Sequence, residues 1–377
     1  MDIERQILRR LSSGGRKVLD VKTLSVPPSD SMFDPDPNGV YRYIELRIDS
    51  LRDGEEFTSP SARTNSAKRY IGMVTQIDQT NVLYLLNIQN SCPTVTKMDL
   101  TQVAGYTLFP GQIVKLQGKN RLGNEILVYE IDYLTQVEIL PPPLHREAFK
   151  LSVLNLDKAL GKLAPTAAQE EVPALAQLLA RYGSSDVLVI LGDLAPSERE
   201  YCKEWSKKKT LTVAVPSHTS ANSTMVYPTH FTTTISSQPP ATSKPYLFPV
   251  TNTFVEVSNP SILYINGISI GVSGLDTVFG VLSLEAGKGV EDRVHTSLTH
   301  AVFQKTFLPF IPKNTPIDYT LGEHLVHPHI LDVLIIATSI KTPPLYIDAT
   351  YVLPLSTETH TLAITPTDEQ AVRSVAE

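Results

Sequence analysis

Cysteine is nearly absent from this chain of 377 residues, which holds only Cys92 and Cys202. Two thiols cannot build a disulfide framework, so a small secreted disulfide scaffold is excluded and a reducing compartment is expected. Long hydrophobic runs are missing too. No apolar stretch reaches the ~18 residues that suggest a membrane span, and no membrane association is expected. The first residues, MDIERQILRRLSSGG, are charged from the start and hold no apolar signal core. A surplus of positive charge is also lacking. The formal net charge is -6, whereas a stand-alone nucleic-acid binder ordinarily carries a basic field. What the chain has in quantity is proline, with 28 residues. Proline favours short strands and irregular connections over long helices. The length suits about two domains at ~150 residues each, and a hydrophobic content of 42% is enough for real cores.

Three segments differ in texture. Residues 1–64 read as a partly disordered N-terminal linker with one short helix: Val26 to Asn38 is rich in Pro, Ser and Asp. In Tyr41 to Leu51, Ile44, Ile48 and Leu51 fall at helical spacing. Residues 65–139 read as a small β-barrel. Tyr70–Gln76 and Asn81–Ile88 have the content of strands, with a turn at Asp78–Thr80 between them. The turn-rich Gly105-Tyr106-Thr107-Leu108-Phe109-Pro110-Gly111 leads into an alternating strand, Gln112–Gln117, and a polar turn at Asn120–Asn124 leads into Glu125–Ile131. Leu140-Pro141-Pro142-Pro143 is a stiff boundary. Residues 140–370 then change to α/β grammar. Strands are predicted at Phe149–Leu156, Asp186–Leu191, Thr210–Val215, Asp332–Ile336, Leu345–Leu353 and Thr359–Thr365. Helices are predicted at Glu170–Tyr182 and Val290–Phe303, and a hairpin turns at Asn266-Gly267. Ser217 to Lys244 is read as a long surface loop.

One strand end looks like chemistry. Leu191-Gly192-Asp193 resembles the Gly-Asp motif of calcineurin-like metallophosphoesterases, whose two metals need a bridging carboxylate and several imidazoles. The other ligands do not follow. The first strand ends Leu154-Asn155-Leu156-Asp157 where Asp-x-His is needed, and the third ends Pro216-Ser217-His218 where Gly-Asn-His is needed. The closing Gly-His-x-His is replaced by Ile347-Asp348-Ala349-Thr350. Asp193 and His218 are therefore vestigial positions: no catalytic or metal-binding residue is expected, and no cofactor. Asp193 reads as capping the turn after it, and His218 as a loop histidine. His324, His327 and His329 lack a Cys or acidic partner at zinc-like spacing and read as surface-loop histidines. Gly271, Gly274 and Gly280 make no nucleotide fingerprint and read as turn glycines. Ser217, Ser220 and Ser223 have no nucleophile elbow. In the barrel, Tyr70 and Tyr84 with Lys97, Lys115, Lys119 and Arg121 could make a single-strand site. That density is ordinary, and structural roles are preferred for both tyrosines.

Taken in order, several pieces resemble the B-subunits of eukaryotic DNA polymerase alpha. They are Met98–Ile131 with its LFPG turn, Asp186–Gly192, Val215-Pro216-Ser217 followed by Val226-Tyr227-Pro228, and Asn266–Phe279. Asp292-Arg293 before Phe307–Phe310, Ile317-Asp318-Tyr319 and Asp332–Ile336 complete the series. The resemblance implies an α+β multi-domain protein: an oligonucleotide/oligosaccharide-binding (OB) barrel followed by a calcineurin-like phosphoesterase sandwich with a degenerate, metal-free site. It implies a non-catalytic scaffold in the nucleus, bound to the C-terminal domain of the catalytic subunit of DNA polymerase alpha. Primase subunits would join through the complex, with weak or no direct DNA binding. Members of that family carry a globular N-terminal domain, where this chain has about 60 residues before its barrel. A B-subunit of polymerase delta or epsilon, or an active metallophosphoesterase, are the alternatives.

Overall fold

The computed structural model describes residues 21–25, 39–52, 54–76, 82–89, 92–133, 148–159, 171–208, 211–217, 226–229, 248–249, 253–312, 316–356, 359–364 and 372–374. They fall into two compact units. One combines the residues between Phe33 and Ile139 with Thr277–Ile330. The other takes those up to Met32, those between Leu140 and Asp276, and those from Leu331 onward. The sequence had assigned 277–330 to the second domain. That segment instead belongs with the barrel, because its apolar and polar anchors are spent there.

The first unit is built on a closed five-stranded barrel, β2 (Lys68–Thr75), β3 (Tyr84–Gln89), β4 (Cys92–Asp99), β6 (Ile113–Lys119) and β7 (Glu125–Asp132). Alternation sets its two faces. Tyr70 and Val74, Leu83 and Leu85, Val114 and Leu116, and Ile126 and Val128 fill the interior. Ile71, Met73, Ile88 and Ile113, on the opposite face of their strands, join a second cluster with Ile44 and Ile48 of helix α1 (Gly39–Ser50) and Leu51 just after it. Residues 39–51 are thus packed as part of the barrel unit. The helix expected from the spacing of Ile44, Ile48 and Leu51 is present, and its apolar stripe is covered by the barrel. Further elements of this unit are β5 (Tyr106–Leu108), paired antiparallel with β15 (Ala286–Lys288), the helices α5 (Thr277–Leu284) and α6 (Arg293–Phe303), and a 3-10 helix, Tyr319–His324. Asp292 caps α6, its Oδ1 accepting the His295 N–H at 2.9 Å.

The second unit is a pair of sheets with helices. The six-stranded sheet runs β12 (Phe254–Glu256), β10 (Leu211–Val215), β9 (Val187–Leu191), β8 (Phe149–Asn155), β19 (Thr359–Ile364), β20 (Val372–Ser374). The seven-stranded sheet runs β11 (Phe248–Pro249), β1 (Val21–Ser25), β13 (Ser261–Ile265), β14 (Ile268–Ser273), β16 (Val333–Ala337), β18 (Thr350–Leu355), β17 (Leu345–Ile347). One continuous core joins them: Leu151, Val153, Val189 and Val213 from one sheet meet Leu263, Ile270, Val333 and Leu353 from the other. Helices α3 (Glu171–Arg181) and α4 (Pro196–Lys208) cover the other face of the six-stranded sheet through Leu175, Leu179 and Cys202, packed with Leu188 and Ile190. β9 carries apolar side chains toward both layers and is buried along its whole length, as covered parallel strands are. Asn266 and Gly267, with φ of 48° and 75°, make the β13–β14 turn that the Asn-Gly dipeptide predicts. The predicted turn at Asp78–Thr80 lies outside the described residues, as does most of the Ser217–Lys244 loop.

Candidate functional site

Ligand sites in α/β sheets gather at the carboxyl ends of parallel strands. Here β8, β9, β10 and β12 run parallel, so Asn155, Gly192-Asp193, Pro216-Ser217 and Val257–Asn259 lie at or just beyond their carboxyl ends. Asp193 is buried, and its Oδ1 accepts the Ser217 N–H at 3.1 Å. The expectation that Asp193 caps its own following turn is corrected by this bond: the carboxylate reaches sideways to the next strand end. The forward role falls to Glu198, whose Oε2 accepts the Ala195 N–H at 2.8 Å at the start of α4. His218 lies outside the described residues. Gly192 has a φ of 138°, and a Cβ there would come within 2.9 Å of Asp157 Oδ1 and the Leu156 side chain, so only glycine fits between these two strand ends.

Neighbouring strand ends are tied by side chains as well. Asn259 Nδ2 donates to the Pro216 carbonyl at 2.9 Å, and its Oδ1 accepts the Gly274 N–H at 2.8 Å. Gly274 is therefore no bland turn glycine, because a Cβ would lie 2.5 Å from Asn259 Nδ2. Asn155 Oδ1 accepts the Lys158 N–H at 3.2 Å, starting the short helix α2 (Leu156–Ala159). Lys158 then turns its ammonium back onto the sandwich. Nζ donates to the carbonyls of Thr338 at 2.7 Å, Ser356 at 2.8 Å and Leu355 at 3.3 Å. Burial lowers its pKa, and the nearby Asp276 carboxylate partly offsets that. Nothing in the sequence had singled out Lys158, although a lysine directly after a strand-end Asn-x-Asp is the signal that was available. Among the described residues, no group of three or more His, Cys, Asp or Glu is placed to hold a metal ion.

The barrel unit carries its own buried polar cluster at the LFPG turn. Arg47 is 1% exposed. Its Nη1 donates to the Gly111 carbonyl at 2.7 Å and its Nη2 to Gln304 Oε1 at 2.9 Å. Gln304 also accepts the Ile113 N–H at 2.8 Å and donates Nε2 to the Ile113 carbonyl at 2.8 Å. Gly111, at φ of 101°, approaches the backbone of Phe310 so closely that a Cβ would lie 2.7 Å from it. Gln112 Oε1 accepts the Phe109 N–H, so its Nε2 is the donor facing His300 Nδ1 at 3.2 Å. That contact suits a neutral imidazole, and burial pushes the His300 pKa down to about 4. The expectation of surface-loop histidines fails at His327, which is buried edge-on to the Phe307 ring at 4.3 Å, its pKa pushed down to about 3 by burial. Gly280 lies within α5 against the Phe310 ring, not in a turn. Gly271 sits within β14.

The candidate single-strand residues separate. Tyr70 is inside the barrel. Lys115 is buried, paired with Glu55 Oε2 at 3.3 Å, and Lys97 pairs with Glu125 Oε1 at 2.6 Å. Lys119 lies over the Tyr129 ring, 5.7 Å from its centroid.

Both parts of this architecture match known families. Residues 51–134 match the OB domain of the DNA polymerase alpha B-subunit, and residues 170–343 match the DNA polymerase alpha/epsilon B-subunit. The two matches together span more than half of the chain. Over those residues the chain is similar to the DNA polymerase alpha/epsilon B-subunit family. It is similar to the DNA polymerase alpha B-subunit of Bos taurus, 23% identical over 273 residues, which is 65% of this chain and 43% of the relative. The Mus musculus protein of the same name is 24% identical over 242 residues, 59% of this chain and 40% of the relative. That of Drosophila melanogaster is 24% identical over 246 residues, 58% and 36%. The chain thus spans less than half the length of these curated relatives.

Proposed function

We propose that this chain is a non-catalytic accessory subunit of a DNA polymerase alpha–primase complex, working in the nucleus. Its role is to bind the C-terminal domain of the catalytic polymerase subunit and so support primer synthesis, with primase joining through the complex. The observation that carries this reading is the pair of family matches, an alpha-type OB domain followed by a B-subunit domain in one chain. The larger match is shared by alpha and epsilon. The barrel match is to the alpha domain, which favours alpha as the partner.

The strand ends support a scaffold over an enzyme. The two-sheet unit resembles a calcineurin-like phosphoesterase whose site has degenerated, with Asp193 and His218 as its vestiges. A two-metal centre needs free carboxylate oxygens and imidazoles converging on one point. Here one Asp193 oxygen is committed to the Ser217 N–H, and the first strand offers Asn155 in place of a carboxylate. The residues present do not fit a binuclear metal centre. A rigid sandwich with that site closed keeps a large surface for docking. Permanent subunit interfaces run beyond ~2,000 Å² and are more apolar than transient ones, so a constitutive complex is the expected form.

The test is binding. Purified chain is mixed with the isolated C-terminal domains of the polymerase alpha and epsilon catalytic subunits and titrated calorimetrically. Submicromolar binding to the alpha domain alone supports the reading. Preference for the epsilon domain moves the chain to that complex. Binding to neither domain, together with manganese-dependent phosphodiester hydrolysis that Asp193→Ala abolishes, overturns it in favour of an enzyme.

A further inference from the structure

OB barrels that take oligonucleotides do so on the outer face of their second and third strands, flanked by the first–second and fourth–fifth strand loops. That surface works by stacking aromatic side chains against bases within a basic groove. In this barrel the second strand is β3 and the third is β4. The outward residues of β3 and of its neighbour β2 are Leu86, Ile88, Ile71 and Met73, aliphatic side chains that pack against Ile44 and Ile48 of α1 and Leu51 just after it. Helix α1 is fastened there by polar bonds that an apolar contact alone would not supply. Arg47 binds the Gly111 carbonyl and Gln304. The Tyr43 hydroxyl donates to the Leu308 carbonyl at 3.0 Å and sits 3.1 Å from Thr306 Oγ1. The helix is therefore held from the barrel side and from the 304–325 segment at once.

We infer that α1 is the resident occupant of the β3 half of this barrel's oligonucleotide face and of the adjoining β2, so that the intact chain cannot take a single strand across β2 and β3 and only the β4 half of that face stays open. The surface left open is β4, where Val95 is exposed, and the turn between β6 and β7, where Leu122 is exposed. Any direct contact with a single strand is confined to that side. The inference concerns the barrel alone and stands whichever polymerase the chain serves.

Hydrogen exchange on the full-length chain, alone and with excess single-stranded oligothymidylate, tests it. In the free chain the α1 amides exchange far more slowly than those of an unstructured peptide. Adding the oligonucleotide leaves the amides of Ile71–Val74 and Leu86–Ile88 unchanged. An Ile48→Asp variant, which puts a charge into the apolar contact, releases α1 and speeds exchange in β2 and β3 by about tenfold or more, while β9 and β10 keep their rates. Two results overturn the inference: α1 amides exchanging at unstructured rates in the unmodified chain, or oligothymidylate protecting β2 and β3 there. Both are read on the unmodified chain and do not depend on the variant folding.

Discussion

Arg47 shows how much a single side chain holds here. Its guanidinium is buried between the Gly111 carbonyl and Gln304, and it lies 5.6 Å from the centroid of the Tyr43 ring. Removing one partner of a buried, hydrogen-bonded charge leaves the others without their donor and typically costs ~3–5 kcal/mol. Arg47→Ala is expected to destabilise the barrel unit by that order, read as a lower urea midpoint of barrel-specific exchange. Arg47→Lys should recover only part, because an ammonium cannot reproduce the two-armed contact. Gly280→Ala should also destabilise this unit, since its methyl would be driven into the Phe310 ring. His300 and His327 set a pH dependence. Both have folded pKa values lowered from 6.5, to about 4 and about 3. Between those values and 6.5 the unfolded chain binds more protons, so stability falls as pH drops from about 6.5 toward 4. Above pH 7 both states hold neutral imidazoles and this contribution is flat. His300→Gln should lessen the acid loss measured by urea unfolding at pH 7 and pH 5.

At the scale of elements, the sequence displayed what periodicity displays and hid what it does not. Asp186–Leu191, Asp332–Ile336 and the Asn266-Gly267 hairpin were legible because each is an unbroken apolar run or carries its own turn residues. β4 was missed because Cys92-Pro93-Thr94 is polar and its outward residues are exposed, which leaves little alternation to read. α4 was missed because PSEREYCKEWSKK carries only a narrow apolar stripe at Tyr201, Cys202 and Trp205. Arg47 sits on the apolar side of α1, between Ile44 and Leu51, and an arginine at such a position is a sign of a buried partner that spacing alone had shown. The role of Asp193 turned on a bond to Ser217, 24 residues away, which no local pattern encodes. β1 is the element with the most exposed consequence. It pairs antiparallel with β13 over five residues and with β11 on its other side. Chains lacking Val21–Ser25 should lose protection along β13, seen as faster amide exchange at Ser261–Ile265, because that edge is then unpaired.

At the scale of the whole molecule, the return of 277–330 to the barrel unit is the feature least available from sequence. It places the Phe307–Phe310 segment and the Gln304 side chain against the LFPG turn and the start of β6, so the turn that carried the family resemblance is a packing signal rather than a catalytic one. At the strand ends of the other unit, Asp193, Asn155, Asn259 and Lys158 direct carboxylate, amide and ammonium groups at backbone. The central claim, that this is a docking subunit, is tested most directly by size-exclusion chromatography of the chain with the C-terminal domain of the polymerase alpha catalytic subunit. The account predicts one equimolar species that survives high salt, as a large apolar interface should. Separate elution of the two proteins at micromolar concentration would contradict it.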